Sequence, residues 1–167
     1  MIRLSRLSDY GIVILTRLAR EQGRALPAST LAQSTAVSAA MTGKVLKLLA
    51  RADLLTSQRG AHGGYALSRP PTAVSVAEII EALDGPIALT SCVDPTAGEC
   101  GIERLCPARA NWQRINRAIR DALDGITLAD MAQAMPEAFR APPDPEPAAR
   151  GTARPATEQA GTTFGAG

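Results

Sequence analysis

Cys92, Cys100 and Cys106 fall within fifteen residues in the spacing C-x7-C-x5-C, and the chain has no other cysteine. Thiolates are soft ligands suited to zinc and to iron–sulfur clusters. An odd number of thiols in one short Gly/Pro-containing loop suits a metal or a cluster better than a disulfide framework. Glu99 and Glu103 lie in the same loop as weaker oxygen donors. His62 is the only histidine, and it stands in a glycine-rich turn far from the cysteines in sequence. No Ser/His/Asp set, phosphate-binding loop or paired-carboxylate pocket is present, so the chain does not read as an enzyme.

The elements that must position this loop follow from hydrophobic spacing. Ser8 or Asp9 can cap a first helix over residues 8–22, with Ile12, Leu15, Leu18 and Ala19 on one face and Gly23 ending it. Pro27 opens a shorter helix through Ser34, with Leu31 and Ala32 inward. After a break at Thr35–Val37, Ser38 caps a third helix to about Ala52. Its apolar face is Met41, Val45, Leu48, Leu49 and Ala52, and its opposite face carries Thr42, Lys44, Lys47 and Arg51. Two helices joined by a tight turn predict a helix-turn-helix, the second being the recognition helix. The strand-like runs 54–58 and 65–68 flank Arg59-Gly60-Ala61-His62-Gly63-Gly64, which predicts a β-hairpin. A hairpin directly after a recognition helix is a wing.

Ser75-Val76-Ala77-Glu78 has the pattern of a capping box and starts a helix with Val76, Ile79, Ile80 and Leu83 inward, ended by Gly85-Pro86. The cysteine loop comes next. Pro107 then suits the first position of a helix running to about Leu123, with Trp112, Ile115, Ile119, Ala122 and Leu123 on one face. Thr127-Leu128-Ala129-Asp130 starts a last helix ending near Met135-Pro136. Residues 141–167 are rich in Pro, Ala, Gly and Thr, lack an apolar period and read as a disordered tail. The fold class is therefore mainly α: a winged helix-turn-helix over 1–70, a loop-and-helix region over 71–140, and the tail.

Net charge is only +2 but unevenly spread. Residues 1–70 hold ten Arg/Lys against three Asp/Glu, whereas residues 71–140 hold six against ten. A basic N-terminal half fits a polyanionic partner, or it is a solvated basic surface. The five aromatic residues are few, and a core of Ala, Leu, Ile and Val suits packed helices. The apolar run 11–15 is short and followed by Arg17 and Arg20, so it does not read as the apolar core of a secretory leader. No stretch approaches the roughly 20 apolar residues of a membrane span. The expectation is a cytoplasmic protein, where thiols stay reduced.

The wing Arg59-Gly60-Ala61-His62-Gly63-Gly64-Tyr65, the opening Arg3-Leu4-Ser5, Asp9-Tyr10 and the three cysteines together resemble the IscR/NsrR-type (Rrf-two) family of transcriptional regulators, over residues 1 to about 135. The run from Leu4 to Val13 is similar to the branch that regulates SUF iron–sulfur assembly operons. The resemblance implies a double-stranded DNA operator as partner and a homodimer in which the helix over 107–123 crosses its twin. That helix is otherwise an ordinary core helix of one subunit. The resemblance further implies an iron–sulfur cluster, two-iron or four-iron, on Cys92, Cys100 and Cys106. Many members use a histidine three residues after the last cysteine as fourth ligand; here Arg109 stands there and cannot serve. Asp9 matches an acidic ligand contributed across the dimer, and it is otherwise a helix cap.

For DNA the resemblance points to the first turns of the recognition helix, with Ser38, Ala40, Met41, Thr42, Lys44 and Lys47 facing phosphates and base edges. Some members carry an acidic reader where this chain has Gly43, a departure that leaves the target sequence open. Arg59 and Gly60 at the wing tip fit a narrow minor groove, where negative potential concentrates. Arg59 is otherwise a solvent-exposed hairpin arginine. His62 reads as a turn or phosphate-contact residue, and Tyr65 as the residue that packs the wing onto the body.

Overall fold

A computed structural model describes residues 3–21, 23–60, 63–96, 100–102 and 105–133. The expected tail 141–167, the end of the last helix near Met135-Pro136, and His62, Glu99 and Glu103 lie outside the described residues.

The first helix, α1, spans Arg6–Ala19. It starts two residues earlier than the spacing predicts, because Ser5 is the cap: its hydroxyl oxygen accepts from the N–H groups of Leu7 and Ser8 at 3.1 and 3.2 Å. Ser8 and Asp9, the expected caps, both lie inside the helix. The helix ends at Ala19, one turn before Gly23. Helix α2 (Ala28–Thr35) follows Pro27, and α3 (Ala39–Arg51) follows Ser38, whose hydroxyl accepts from the Met41 N–H at 3.4 Å. Between them Ala36 takes a left-handed conformation, and Val37 is buried.

Strands β1 (Leu55–Gln58) and β2 (Gly64–Leu67) pair antiparallel, with Leu55 opposite Leu67 and Gln58 opposite Gly64. Leu26 adds a third edge. Its N–H donates to the Tyr65 carbonyl at 2.9 Å, and its carbonyl accepts from the Tyr65 N–H at 2.8 Å. The Tyr65 side chain is half-buried against the core, as expected of a residue seating the wing.

Helix α4 (Val76–Asp84) carries the expected capping box in full: the Ser75 hydroxyl accepts from the Glu78 N–H at 3.2 Å, and Glu78 accepts from the Ser75 N–H at 2.9 Å. A short 3-10 turn at Ser91–Val93 holds Cys92. Helix α5 spans Arg109–Asp124, so Pro107 sits just ahead of it rather than in its first position. Helix α6 (Leu128–Gln133) starts where Thr127 and Asp130 bond reciprocally.

One core joins these elements. Ile14, Leu15 and Leu18 of α1 pack with Leu31 of α2, Val45, Leu46 and Leu49 of α3, Ile79 of α4 and Leu128 of α6. Each such side chain, fully buried, contributes about 1.5–3 kcal/mol. Helix α5 contributes no buried residue at all. No helix among the described residues is long and apolar enough to cross a membrane.

Candidate nucleic-acid interface and cysteine loop

The recognition helix presents a mixed face. Ser38, Ala40, Lys44 and Lys47 are exposed, and Met41 is half-buried against the core. Thr42 departs from the expectation. It is 0% exposed, and its hydroxyl donates to the Val37 carbonyl at 3.4 Å. The inner stripe of α3 runs Thr42, Val45, Leu46, Leu49, so Thr42 packs inside and holds the preceding turn instead of facing a groove. Gly43 takes its place on the outer side, and a Cβ there would meet open space. What remains exposed of the expected contact set on this helix is Ser38 and Ala40 at its start and Lys44 and Lys47 one turn apart, a basic face that favours phosphate.

At the wing, Arg59 and Gly60 are both exposed. Gly60 has φ +117, a backbone conformation that only glycine takes without strain, and its carbonyl accepts from the Gly63 N–H at 2.9 Å. That bond links the two described sides of the turn, and Arg59 beside it is open to solvent. A Cβ on Gly64 would strike the Leu26 backbone, so this glycine is what lets the third edge approach.

The cysteine loop is tethered at its stem. Gly85, with φ +87, turns the chain out of α4. Asn116 of α5 then grips the segment that follows at two points. Its amide donates to the Ile87 carbonyl at 2.8 Å, and its side-chain oxygen accepts from the Leu89 N–H at 3.0 Å. The Thr90 hydroxyl lies 3.2 Å from the Cys92 sulfur. Helix α5 is itself fixed to α4 by the Arg120 guanidinium, which donates to both Glu81 oxygens at 2.8 and 3.2 Å, and by the Ser75 hydroxyl donating to Asp124 at 2.7 Å. The hydrogen bond and the charge of Glu81 hold the Arg120 guanidinium above its ordinary pKa.

All three cysteines are free thiols and half-buried. Three unpaired sulfur donors on one loop, partly screened from water, fit an iron–sulfur cluster or zinc in kind. Among the described residues no group of three or more His, Cys, Asp or Glu side chains is already gathered at metal-binding distance. Asp9 lies in the first turn of α1 with its carboxylate exposed and makes no ion pair among the described residues. Its alternative role as cap falls to Ser5.

Two positions escaped the sequence reading. The Asp84 carboxylate accepts from the Ser5 and Ser8 hydroxyls, each at 2.6 Å, and thus bolts the end of α4 to the start of α1. The signal was Ser8 itself, a polar residue in line with Ile12 and Leu15 on an inward stripe, which needs a partner. Asn116 gave the same signal among Trp112, Ile115 and Ile119.

Comparison with known proteins agrees with this architecture. The family described as "Rrf2: Iron-dependent Transcriptional regulator" matches residues 4–134. The chain is 32% identical over 134 residues to the HTH-type transcriptional regulator CymR of Bacillus subtilis (strain 168), spanning 78% of this chain and 90% of that protein. The solved structure of CymR, the global cysteine regulator of B. subtilis, superposes with a TM-score of 0.63 at 30% identity, covering 81% of this chain and all of that one. The T. potens IscR structure gives 0.59 at 27% identity, covering 84% of this chain and 93% of that one. These relatives are regulators of transcription, not enzymes. With its winged helix, basic recognition surface and family match over residues 4–134, the chain belongs to the Rrf2 family of DNA-binding transcriptional regulators.

Proposed function

We propose that this regulator is a homodimer that senses an iron–sulfur cluster and controls SUF-type iron–sulfur assembly genes. The observation that carries the sensing role is the set of three free, half-buried thiols on a loop tethered between α4 and α5, in a chain whose family is described as iron-dependent. Similarity to the IscR structure from T. potens supports the same direction. Cys92, Cys100 and Cys106 would hold the cluster, and Asp9 of the partner subunit would supply a fourth, weak oxygen ligand. When bound, such a cluster supplies a group sensitive to oxidation and to nitric oxide. The chain's own residues do the rest. Asn116 orients the loop stem, and Ser38, Ala40, Met41, Lys44 and Lys47 meet the major groove. Arg59 and Gly60 meet the minor groove.

The dimer reading is supported by α5. Trp112 and Ile115 are 38% and 44% exposed, and no residue of the helix is fully buried in its own protomer. An amphipathic helix with an uncovered apolar stripe needs a second surface, and closed two-fold dimers are the commonest solution. Anaerobic purification followed by iron and sulfide quantitation and visible absorption tests the cluster. Stoichiometric iron and sulfide with charge-transfer colour support it, and a colourless zinc-loaded protein refutes it.

A second reading is favoured by the similarity to CymR, the global cysteine regulator of B. subtilis. In it the three thiols act through zinc or their own oxidation and the genes controlled belong to sulfur metabolism. A regulator of the same family responding to nitric oxide or redox state is the related alternative. The same iron and sulfide measurement separates the zinc or thiol reading from the first, and the genes the protein binds separate a nitric-oxide-responsive regulator from one of SUF assembly.

A further inference from the structure

The segment that enters the cysteine loop is held at two points, and both are polar. On one side Asn116 brackets Ile87 and Leu89. On the other, Asp84 accepts from the Ser5 hydroxyl at 2.6 Å and from the Ser8 hydroxyl at 2.6 Å, across 79 and 76 residues of sequence. Ser8 is fully buried beneath the exposed Asp84, and that carboxylate is the partner of its hydroxyl. Ser5 is also the cap of α1, so the same carboxylate steadies the oxygen that satisfies the Leu7 and Ser8 N–H groups.

The two helices are pressed together beside this clamp. A Cβ on Gly11 would run into the Leu83 side chain, the residue next to Asp84. Only Gly85 and Pro86 separate Asp84 from the Ile87 carbonyl that Asn116 holds. Cys92 lies three residues beyond Leu89, with the Thr90 hydroxyl against its sulfur. Helix α1 in turn shares its buried face with the recognition helix through Leu15, Val45 and Leu49.

We propose that Asp84, through Ser5 and Ser8, is the positioning residue by which the state of the cysteine loop sets the placement of α1 and hence of the recognition helix. This rests on the reading of the loop as the sensing element. A change in sulfur ligation moves the stem 85–91. The stem cannot shift along α5 without breaking the Asn116 bonds, so the displacement passes to the end of α4 and its carboxylate. Two arrangements of one rigid contact, rather than a gradual deformation, are what close packing at Gly11 and Leu83 allows.

The test uses the full chain, reduced, and compares it before and after two treatments of the thiols: anaerobic reconstitution with ferrous iron and sulfide, and alkylation with iodoacetamide. Hydrogen exchange of α1, α3 and loop peptides is followed. So is affinity for a duplex selected in vitro on the untreated wild-type protein. In the wild type the treatments change exchange in the loop, α1 and α3 together and alter affinity about ten-fold. In Asp84→Ala the loop still responds, α1 and α3 do not, and the affinity ratio falls to about unity. Asp84→Glu restores the response, and Ser8→Ala reproduces the loss if Asp84→Ala folds poorly. Equal responses of α1 and α3 in wild type and Asp84→Ala overturn the proposal, as does a wild type in which neither helix responds to either treatment. Failure of reconstitution to deliver iron and sulfide defeats the cluster reading alone, because alkylation still perturbs the loop.

Discussion

Thr42 and Lys44 stand two residues apart on one helix and do different work. Thr42 is sealed inside with its hydroxyl on the Val37 carbonyl, whereas Lys44 is in solvent. Thr42→Ala therefore costs stability, about 1–2 kcal/mol for a lost buried hydrogen bond and methyl, with operator affinity per folded molecule unchanged. Lys44→Ala leaves the melting temperature in place and lowers the salt slope of DNA binding by about 1. Thermal melts paired with salt-dependent anisotropy check both. Glu78 gives a pH signature. Partial burial pushes its carboxyl upward, but the Ser75 N–H and the Arg69 guanidinium together outweigh this and hold it below the ordinary glutamate value. A depressed folded value means stability present above the unfolded pKa and lost as pH falls through the folded one. Melts across the acid range show this loss in the wild type and a smaller one in Glu78→Gln. Some of this was legible: Ser75 and Glu78 form a local motif whose bonds span three residues. The rotation of the α3 stripe was not, because a threonine fits an outward or an inward position equally until the turn at Val37 is known.

At the scale of elements, the hairpin was readable from its glycines, since a turn with positive φ at Gly60 leaves few other residue choices. The third edge at Leu26 was invisible, because it pairs positions 39 residues apart through backbone alone. It makes a prediction of its own. Gly64→Ala forces a methyl into the Leu26 backbone, loosens the wing and costs about 1–3 kcal/mol, seen as a lower denaturation midpoint. Arg59→Ala leaves that midpoint unchanged and weakens binding to all duplexes, with a shallower salt slope. Helix α5 carries the dimer prediction: Ile115→Glu places a charge in the uncovered stripe beside Trp112 and yields a monomer by sedimentation, whereas a wild-type monomer at micromolar concentration contradicts the assignment.

Across the whole molecule, the winged helix and the cysteine loop are not two separate bodies. Val74, Ile79 and Leu128 share the core of α1 and α3, and polar contacts join α4 to α1 at Asp84, the loop stem to α5 at Asn116, and α5 to α4 at Arg120. The order of elements was legible because each helix carries its own period and cap. These long-range contacts were not, since a serine or asparagine on an apolar stripe announces the need for a partner without saying which. The donor set of the loop was legible in kind from three cysteines, whereas among the described residues they are not gathered with other donors into a metal-binding group. The claim on which the account rests is that the chemical state of these thiols governs DNA binding. The most direct measurement is operator affinity of one anaerobic preparation, by fluorescence anisotropy at fixed salt, with the iron and sulfide bound and after their removal by chelation. The account predicts a difference of about ten-fold or more, abolished by Cys→Ala changes at 92, 100 and 106. The same affinity in both states would contradict it.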